Sequence, residues 1–343
     1  MALRKLIGHI KLMAQDKTKK EALFNEVKGS LFEFLVGKEI SILSNQELLF
    51  LQSIDKNYLT VLSQQDRMVR QFYPEILPFL HQASKILSVR LIEYLKEKPH
   101  ATKVVGKLSH SVLSSQLQEA DLILYLKSSI VPLSLKLNKK NAFVNTKSGG
   151  IKSFFSQYFS FIPLNVQESF NKFVDLEFGR MSYELHSHHE LDYTGNFNGW
   201  VDRGFSELPG ELDIDSRQIL KKYYSRIAEK MHHILSNAKD ENPSAFTNSF
   251  PSLMGFGTEN ILQAIYFHDF PANLHPVIEI HSFKDIFLQL DKLDILPFNS
   301  TSSVDFRLGL WTFQIRVKPM NKFTTTAIKI NCSLKFNRPS SSF

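Results

Sequence analysis

The stretch ADLILYLKSSIVPLSLKL, from Ala120 to Leu137, holds two short apolar runs parted by the polar break LKSS. Runs of this length, rich in Leu, Ile and Val and bounded by polar residues, predict two paired strands. Side chains two apart on a strand share a face, so Ser134 and Lys136 project together while Leu135 packs the other way. Asp121 opens the first strand, and a hairpin lets it meet the second from the neighbouring position. A carboxylate, a hydroxyl and an ammonium group are thereby gathered by eighteen residues of sequence.

Upstream, residues 3–42 read as helix, with apolar side chains at Leu23, Val27, Leu31, Phe34 and Leu35. Within it, KGSLFE (Lys28–Glu33) presents the carboxylate of Glu33, and Glu26, seven residues earlier on roughly the same helix face, is a reserve acid. A pair of carboxylates beside a lysine suits metal-assisted hydrolysis of a phosphodiester. The acids hold Mg²⁺, a hard cation that favours oxygen ligands. The metal polarises the phosphate and activates a water. The lysine orients that water and offsets charge developing on the phosphoryl oxygens.

The order helix Glu, strand Asp, then residue-x-Lys resembles the restriction-endonuclease-like, or PD-(D/E)xK, nuclease superfamily. KGSLFE is similar to the first-helix motif of archaeal Holliday-junction resolvases, and the thirteen-residue step from Asp121 to Ser134 is similar to theirs. Two departures stand out: Ala120 replaces the usual proline, and Ser134 replaces the usual acid, leaving one fewer carboxylate for metal. The long insertion between Glu33 and Asp121 points toward a larger enzyme, most like a type II restriction endonuclease. The resemblance implies a Mg²⁺ site of Glu33, Asp121 and the Leu135 carbonyl. In it, Ser134 takes the place of the missing acid through water and Lys136 positions the attacking water.

Charge is segregated in a way that fits a polyanionic partner. The chain carries 41 Lys and Arg against 34 Asp and Glu, a net charge of +7. Between Asp121 and Glu168 there are six lysines and no acid; after Asp305 there are seven basic residues and no acid. Such surfaces commonly face nucleic acid. Asn138, Lys139, Lys140, Asn145, Thr146, Lys147, Ser148 and Lys152 are candidates for phosphates flanking a cut. Arg203, Arg316, Lys318, Lys322 and Lys329 are candidates for a recognition region, with Gln314 and Asn321 reading base edges. The Ser148-Gly149-Gly150 segment reads as a turn opening a helix at IKSFFSQYF, either a phosphate cradle or a plain structural turn.

The expected fold is mixed α/β (α+β) with a restriction-endonuclease-like core, in which helices flank a mixed central sheet. A nuclease core at residues 1–162 carries a helical insertion at about 43–100, ended by Lys98-Pro99. A DNA-recognition region at residues 163–343 is mostly helical to Leu262. It finishes in an antiparallel pair, WTFQIRVKP and TTTAIKINCSLKF. RPSSSF should fray. The single Cys332 excludes an intramolecular disulfide framework and a Cys-rich zinc site and reads as buried. No apolar run approaches the roughly 20 residues of a membrane helix. The N-terminal segment reads as a basic amphipathic helix of a cytoplasmic protein.

The histidines from His186 to His189, with His232-His233, fit no H-E-x-x-H spacing, and adjacent histidines face different ways on a helix, so they read as exposed or hydrogen-bonded side chains. The partner expected is double-stranded DNA, and palindromic recognition would bring a homodimer. Competing readings are a structure-selective repair or recombination nuclease and a catalytically silent DNA-binding protein on the same scaffold.

Overall fold

In the structure, a computed structural model describing residues 17–105, 120–256, 261–271, 276–299, 302–319 and 322–337, the first element is helix α1 (Lys17–Leu43). The earlier part of the predicted N-terminal helix, Asn321 and the RPSSSF tail lie outside the described residues. The predicted helical insertion is filled by α2 (Glu47–Gln52), α3 (Lys56–Phe72) and α4 (Ile76–Leu95). Asp55 caps α3 by accepting from the Asn57 and Tyr58 N–H groups at 2.8 and 3.2 Å, which anchors the first turn and with it Tyr58. α4 stops at Leu95, with Lys96 in the left-handed region (φ 56°), a turn earlier than the Lys98-Pro99 pair suggested.

Strands β1 (Ala101–Val104), β2 (Leu122–Tyr125) and β3 (Ile130–Lys139) follow. Then come β4 (Val144–Gly150), α5 (Ile151–Tyr158), α6 (Leu164–His188), α7 (Asn198–Asp202), α8 (Ile214–Glu241), α9 (Pro243–Asn248) and α10 (Phe250–Leu253). Next are β5 (Leu262–His268), β6 (Val277–Ser282) and α11 (Phe283–Phe287). The final strands are β7 (Leu293–Ile295), β8 (Ser303–Leu308), β9 (Trp311–Pro319) and β10 (Ile328–Phe336). The protein is mixed α/β with two five-stranded sheets.

The chain divides into two units, Met1–Ala142 with Phe256–Asp285, and Phe143–Gly255 with Ile286–Phe343. The second interrupts the first between β3 and β5. This division differs from the expected boundary at residue 162, because the strand that continues the first sheet returns only at Leu262, far along the chain.

In the first unit the sheet order is β1-β2-β3-β5-β6, antiparallel throughout except for β3 beside β5, which run parallel. One face carries Leu122, Leu124, Leu133, Leu135, Leu262, Ala264 and Tyr266, and these join a single core with α1 and α4. Val27, Leu31 and Leu35 of α1, four apart, form its buried stripe, as their helical spacing requires. The Ser88 hydroxyl of α4 donates to the Val36 carbonyl of α1 at 3.3 Å. β5 is buried at every position, so it shows no alternation; LQAIYFH lacked the period that marks a half-exposed strand.

Gly37 sits where α1 comes closest to its neighbours: a Cβ there would lie 2.9 Å from Phe50 Cζ and 3.1 Å from Leu122 Cδ2. Gly37→Val is therefore expected to lower stability by about 1–3 kcal/mol through overpacking. A urea-unfolding midpoint equal to that of the parent would refute this account of the glycine.

The second unit contains an antiparallel sheet in the order β4-β10-β9-β8-β7. One face carries Phe306, Phe313, Ile315, Ile330 and Leu334 into a core rich in phenylalanine. There Phe250 packs on Phe306 and Phe313 at 5.0 and 5.5 Å between ring centres, and Phe155 on Phe170 at 4.9 Å. The predicted C-terminal pair forms, Ile328 opposite Pro319 and Phe336 opposite Trp311. The NTKSGG segment is a correction: it is not a turn but most of β4, with Ser148 opposite Asn331 and Gly149 opposite Ile330. Its polar composition hid a strand whose hydrogen bonds go to residues some 180 positions away.

Candidate active site

The register of the β2–β3 hairpin sets the local geometry. Leu122 pairs with Leu133, so Asp121, one step before the strand, stands level with Ser134. Its N–H donates to the Leu133 carbonyl at 2.8 Å. Its carboxylate accepts from the Leu135 N–H at 2.6 Å, and Ser134 Oγ lies 3.5 Å from the same oxygen. On a strand a residue's C=O points to the same side as its N–H, so the Leu135 carbonyl also points toward the Asp121 side of β3.

Glu33 reaches this neighbourhood from α1. The link is Tyr58 on α3, which is buried and whose hydroxyl has its pKa pushed up by burial first, then by the charges of Glu33 and Asp121. Glu26, the reserve acid, is exposed on α1. Lys136 is half-buried and shares the Ser134 face of β3; among the described residues no acid pairs with it. The donor set of Asp121, Glu33 and the Leu135 carbonyl is all oxygen, which fits Mg²⁺ better than a softer ion.

A cationic group lies on the same unit. Lys139 is opposite His268 in the β3–β5 register. Burial and then Lys139 lower the pKa of Lys28. Burial, followed by Lys28 and Lys139, pushes His268 down to about 4. Three nitrogen bases held close together favour an anion nearby.

The other predicted phosphate contacts divide sharply. Lys140 pairs with Asp269 at 2.9 Å, Lys152 with Asp175 at 2.6 Å, and Lys322 with Glu207. These three lysines are occupied within the fold, which sequence alone could not reveal because each acid is distant in the chain. Asn138 Nδ2 donates to the Ala142 carbonyl at 3.3 Å. Lys147 is half-buried and lies level with the buried Cys332, and burial lowers its pKa. Thr146 donates its hydroxyl to the Leu253 carbonyl at 2.7 Å. Asn145, Ser148 and Arg203 are exposed. Gln314, expected to read bases, is buried and committed to Ser303, Asp305 and Arg316 at 3.1, 2.9 and 2.7 Å.

Sequence analysis missed that the two acid-free stretches are neighbours. β4 comes from the first and β10 and β9 from the second, side by side in the sheet of the second unit. Lys318 stands opposite Lys329, and Arg316 opposite Asn331. Burial lowers the pKa of Lys318, and the charges of Arg316 and Lys329 lower it further. Arg316 and Lys318 also line a pocket of about 370 Å³ with Ser302, Ser303, Asp305 and Tyr224.

A second residue escaped notice. Gln263 stands beside Ser134 in register, is fully buried, and has neither amide oxygen nor nitrogen hydrogen-bonded among the described residues. A polar residue inside the otherwise apolar LQAIYF was the available signal. An unsatisfied buried polar group costs about 1–3 kcal/mol, so Gln263→Met is expected to raise stability by roughly that amount. Denaturant melts read the effect, and a destabilised variant would contradict it.

No family model matches this sequence. No curated protein and no solved structure matches it either. No helix among the described residues is long and apolar enough to cross a membrane.

Proposed function

We propose that the protein is a Mg²⁺-dependent endonuclease that hydrolyses phosphodiester bonds of double-stranded DNA, with a restriction-endonuclease-like core and the character of a type II restriction enzyme. The observation that carries this reading is the meeting of the Asp121 carboxylate with Ser134 Oγ and the Leu135 N–H on the neighbouring strand. A mixed sheet with α1 packed on one face agrees with what the resemblance implies.

In this mechanism Asp121 and Glu33 supply carboxylate oxygens, and the Leu135 N–H holds the Asp121 carboxylate in one orientation. Mg²⁺ bound there supplies a Lewis acid for the phosphate and an acidified water. With Ser134 in place of an acid, a single ion that keeps several waters suits the site. Lys136 donates to a phosphoryl oxygen and steadies the attacking water. The water oxygen would bond to phosphorus as the bond to the leaving oxygen breaks, with one water proton passing to solvent and the leaving oxygen taking a proton from solvent to depart as a hydroxyl. Lys28 and Lys139 on one unit, and Arg316, Lys318 and Lys329 on the other, offer charge to the DNA backbone.

One observation favours a second reading. The Ser134 hydroxyl is buried and turned toward Asp121, which fits a scaffold that binds DNA without cutting it. Incubating unmethylated phage DNA with the protein and Mg²⁺, beside EDTA and Lys136→Ala controls, separates the two. Discrete fragments absent from both controls are expected. A smear would select a repair-type or nonspecific nuclease. Retained DNA binding with intact DNA would select the silent scaffold and overturn the catalytic reading.

A further inference from the structure

A second cluster of ligand-type side chains lies wholly within the second unit. α6 ends at His188, and His189 is its C-cap (φ −98°, ψ 17°), followed by Glu190 in the left-handed region at φ 55°. Because the helix stops there, the two rings do not diverge as they would on a continuous helix. They meet at 4.9 Å between ring centres, and both nitrogens turn to Asp213, the N-cap of α8. His188 Nε2 lies 3.7 Å from Asp213 Oδ1 and His189 Nε2 lies 3.4 Å from Oδ2. One ligand atom from each of the three residues falls within 4.8 Å of the others.

These separations suit a tetrahedral ion. Zinc bonds of about 2.0–2.1 Å to nitrogen and oxygen require ligand atoms roughly 3.3–3.5 Å apart. The two His–Asp contacts, 3.7 and 3.4 Å, run to different oxygens of one carboxylate, and His188, whose side chain is 37% exposed, has room to move onto a shared ion. The other groups are held in place. Ser216 donates its N–H and its hydroxyl to Asp213 at 2.8 and 2.6 Å, which keeps the carboxylate aimed. The His189 ring packs against Trp200 and Phe205 at 4.9 and 4.7 Å between ring centres, and its Nε2 hydrogen-bonds Ser216 Oγ at 2.8 Å, a contact the ion would replace. Hydrogen bonds behind the ligands are the usual means of orienting them. Two imidazoles with one carboxylate select a zinc-like cation over Mg²⁺ or Ca²⁺, which prefer oxygen alone.

We propose that His188, His189 and Asp213 form a zinc site that ties the last turn of α6 to the first turn of α8, with its fourth position open to water. Each imidazole would bind neutral, through the Nε2 lone pair with its ring proton on Nδ1, so His189 exchanges its Ser216 hydrogen bond for the ion. This inference does not depend on the nuclease reading.

The test is zinc titration of the chelator-stripped full-length protein, followed by calorimetry, metal analysis and thermal melting. One zinc per chain is expected, with a melting temperature that rises with zinc whether or not millimolar Mg²⁺ is present. His188→Ala, at an exposed position, should fold as the parent does and weaken binding at least about tenfold. Asp213→Asn keeps a good helix cap and should weaken it as well. A His232→Ala/His233→Ala control should bind as the parent does. Absence of zinc binding, binding unchanged in His188→Ala and Asp213→Asn, or binding lost in the control would each overturn the proposal.

Discussion

Asp121→Asn is expected to reduce Mg²⁺-dependent DNA cleavage by at least about 100-fold, the scale on which removing one preorganised electrostatic group acts, while leaving the fold intact. The substitution keeps the shape of the side chain and an oxygen able to accept from the Leu135 N–H, which now lies at 2.6 Å. What it removes is negative charge, and Ser134 offers none in compensation. In a site with the usual additional acid, losing one carboxylate leaves another; here only Glu33 remains of the pair. Single-turnover cleavage at saturating protein, with the circular dichroism spectrum as a check on folding, measures the effect. A folded Asp121→Asn protein cutting at the parental rate would remove Asp121 from the mechanism. Loss of cleavage in Lys136→Ala alone would then move the metal site elsewhere.

Arg226→Ala should cost about 3 kcal/mol of stability, the lower end of the range for breaking a buried ion pair. Arg226 on α8 donates through Nε to Glu177 on α6, whose side chain is only 5% exposed. Without it the carboxylate keeps Arg180 at 3.3 Å, but that arginine is 56% exposed and its attraction is screened by water. The penalty comes from stranding a buried charge rather than from losing an attraction. Replacing both members, Arg226→Met with Glu177→Leu, is therefore expected to recover most of the loss. Guanidinium unfolding of the three proteins decides the point. A loss below about 1 kcal/mol in the single variant would show that Arg180 and water satisfy Glu177 without Arg226.

The hairpin and the grouping around it were legible from residues 120–137. An apolar run, a polar break and a second apolar run define two strands wherever they occur, and the side-chain period of two puts Ser134 and Lys136 on one face. The helical stripe of Val27, Leu31 and Leu35 was equally readable, as was the C-terminal pair, because each pattern is carried by residues near one another. β5 was not readable. A strand buried on both faces has no alternation, and its parallel partner β3 lies more than a hundred residues upstream. The histidines are exposed or hydrogen-bonded, as expected, but the approach of His188 and His189 to Asp213 depends on where α6 ends and on what α8 delivers, which no local pattern shows.

Sequence by itself determined the local elements and the chemical inventory: the hairpin, the helices, the acids and the lysine, and two stretches without acid. Tertiary structure alone decided their company. It joined β4 of the first basic stretch to β10 of the second while β2 and β3 stayed in the other sheet, and it paired Lys140, Lys152 and Lys322 with distant acids. The physical reason is one of range. Backbone period and capping act within a few residues, whereas which strand a strand pairs with, and which acid a lysine meets, follow from burying apolar faces across the whole chain.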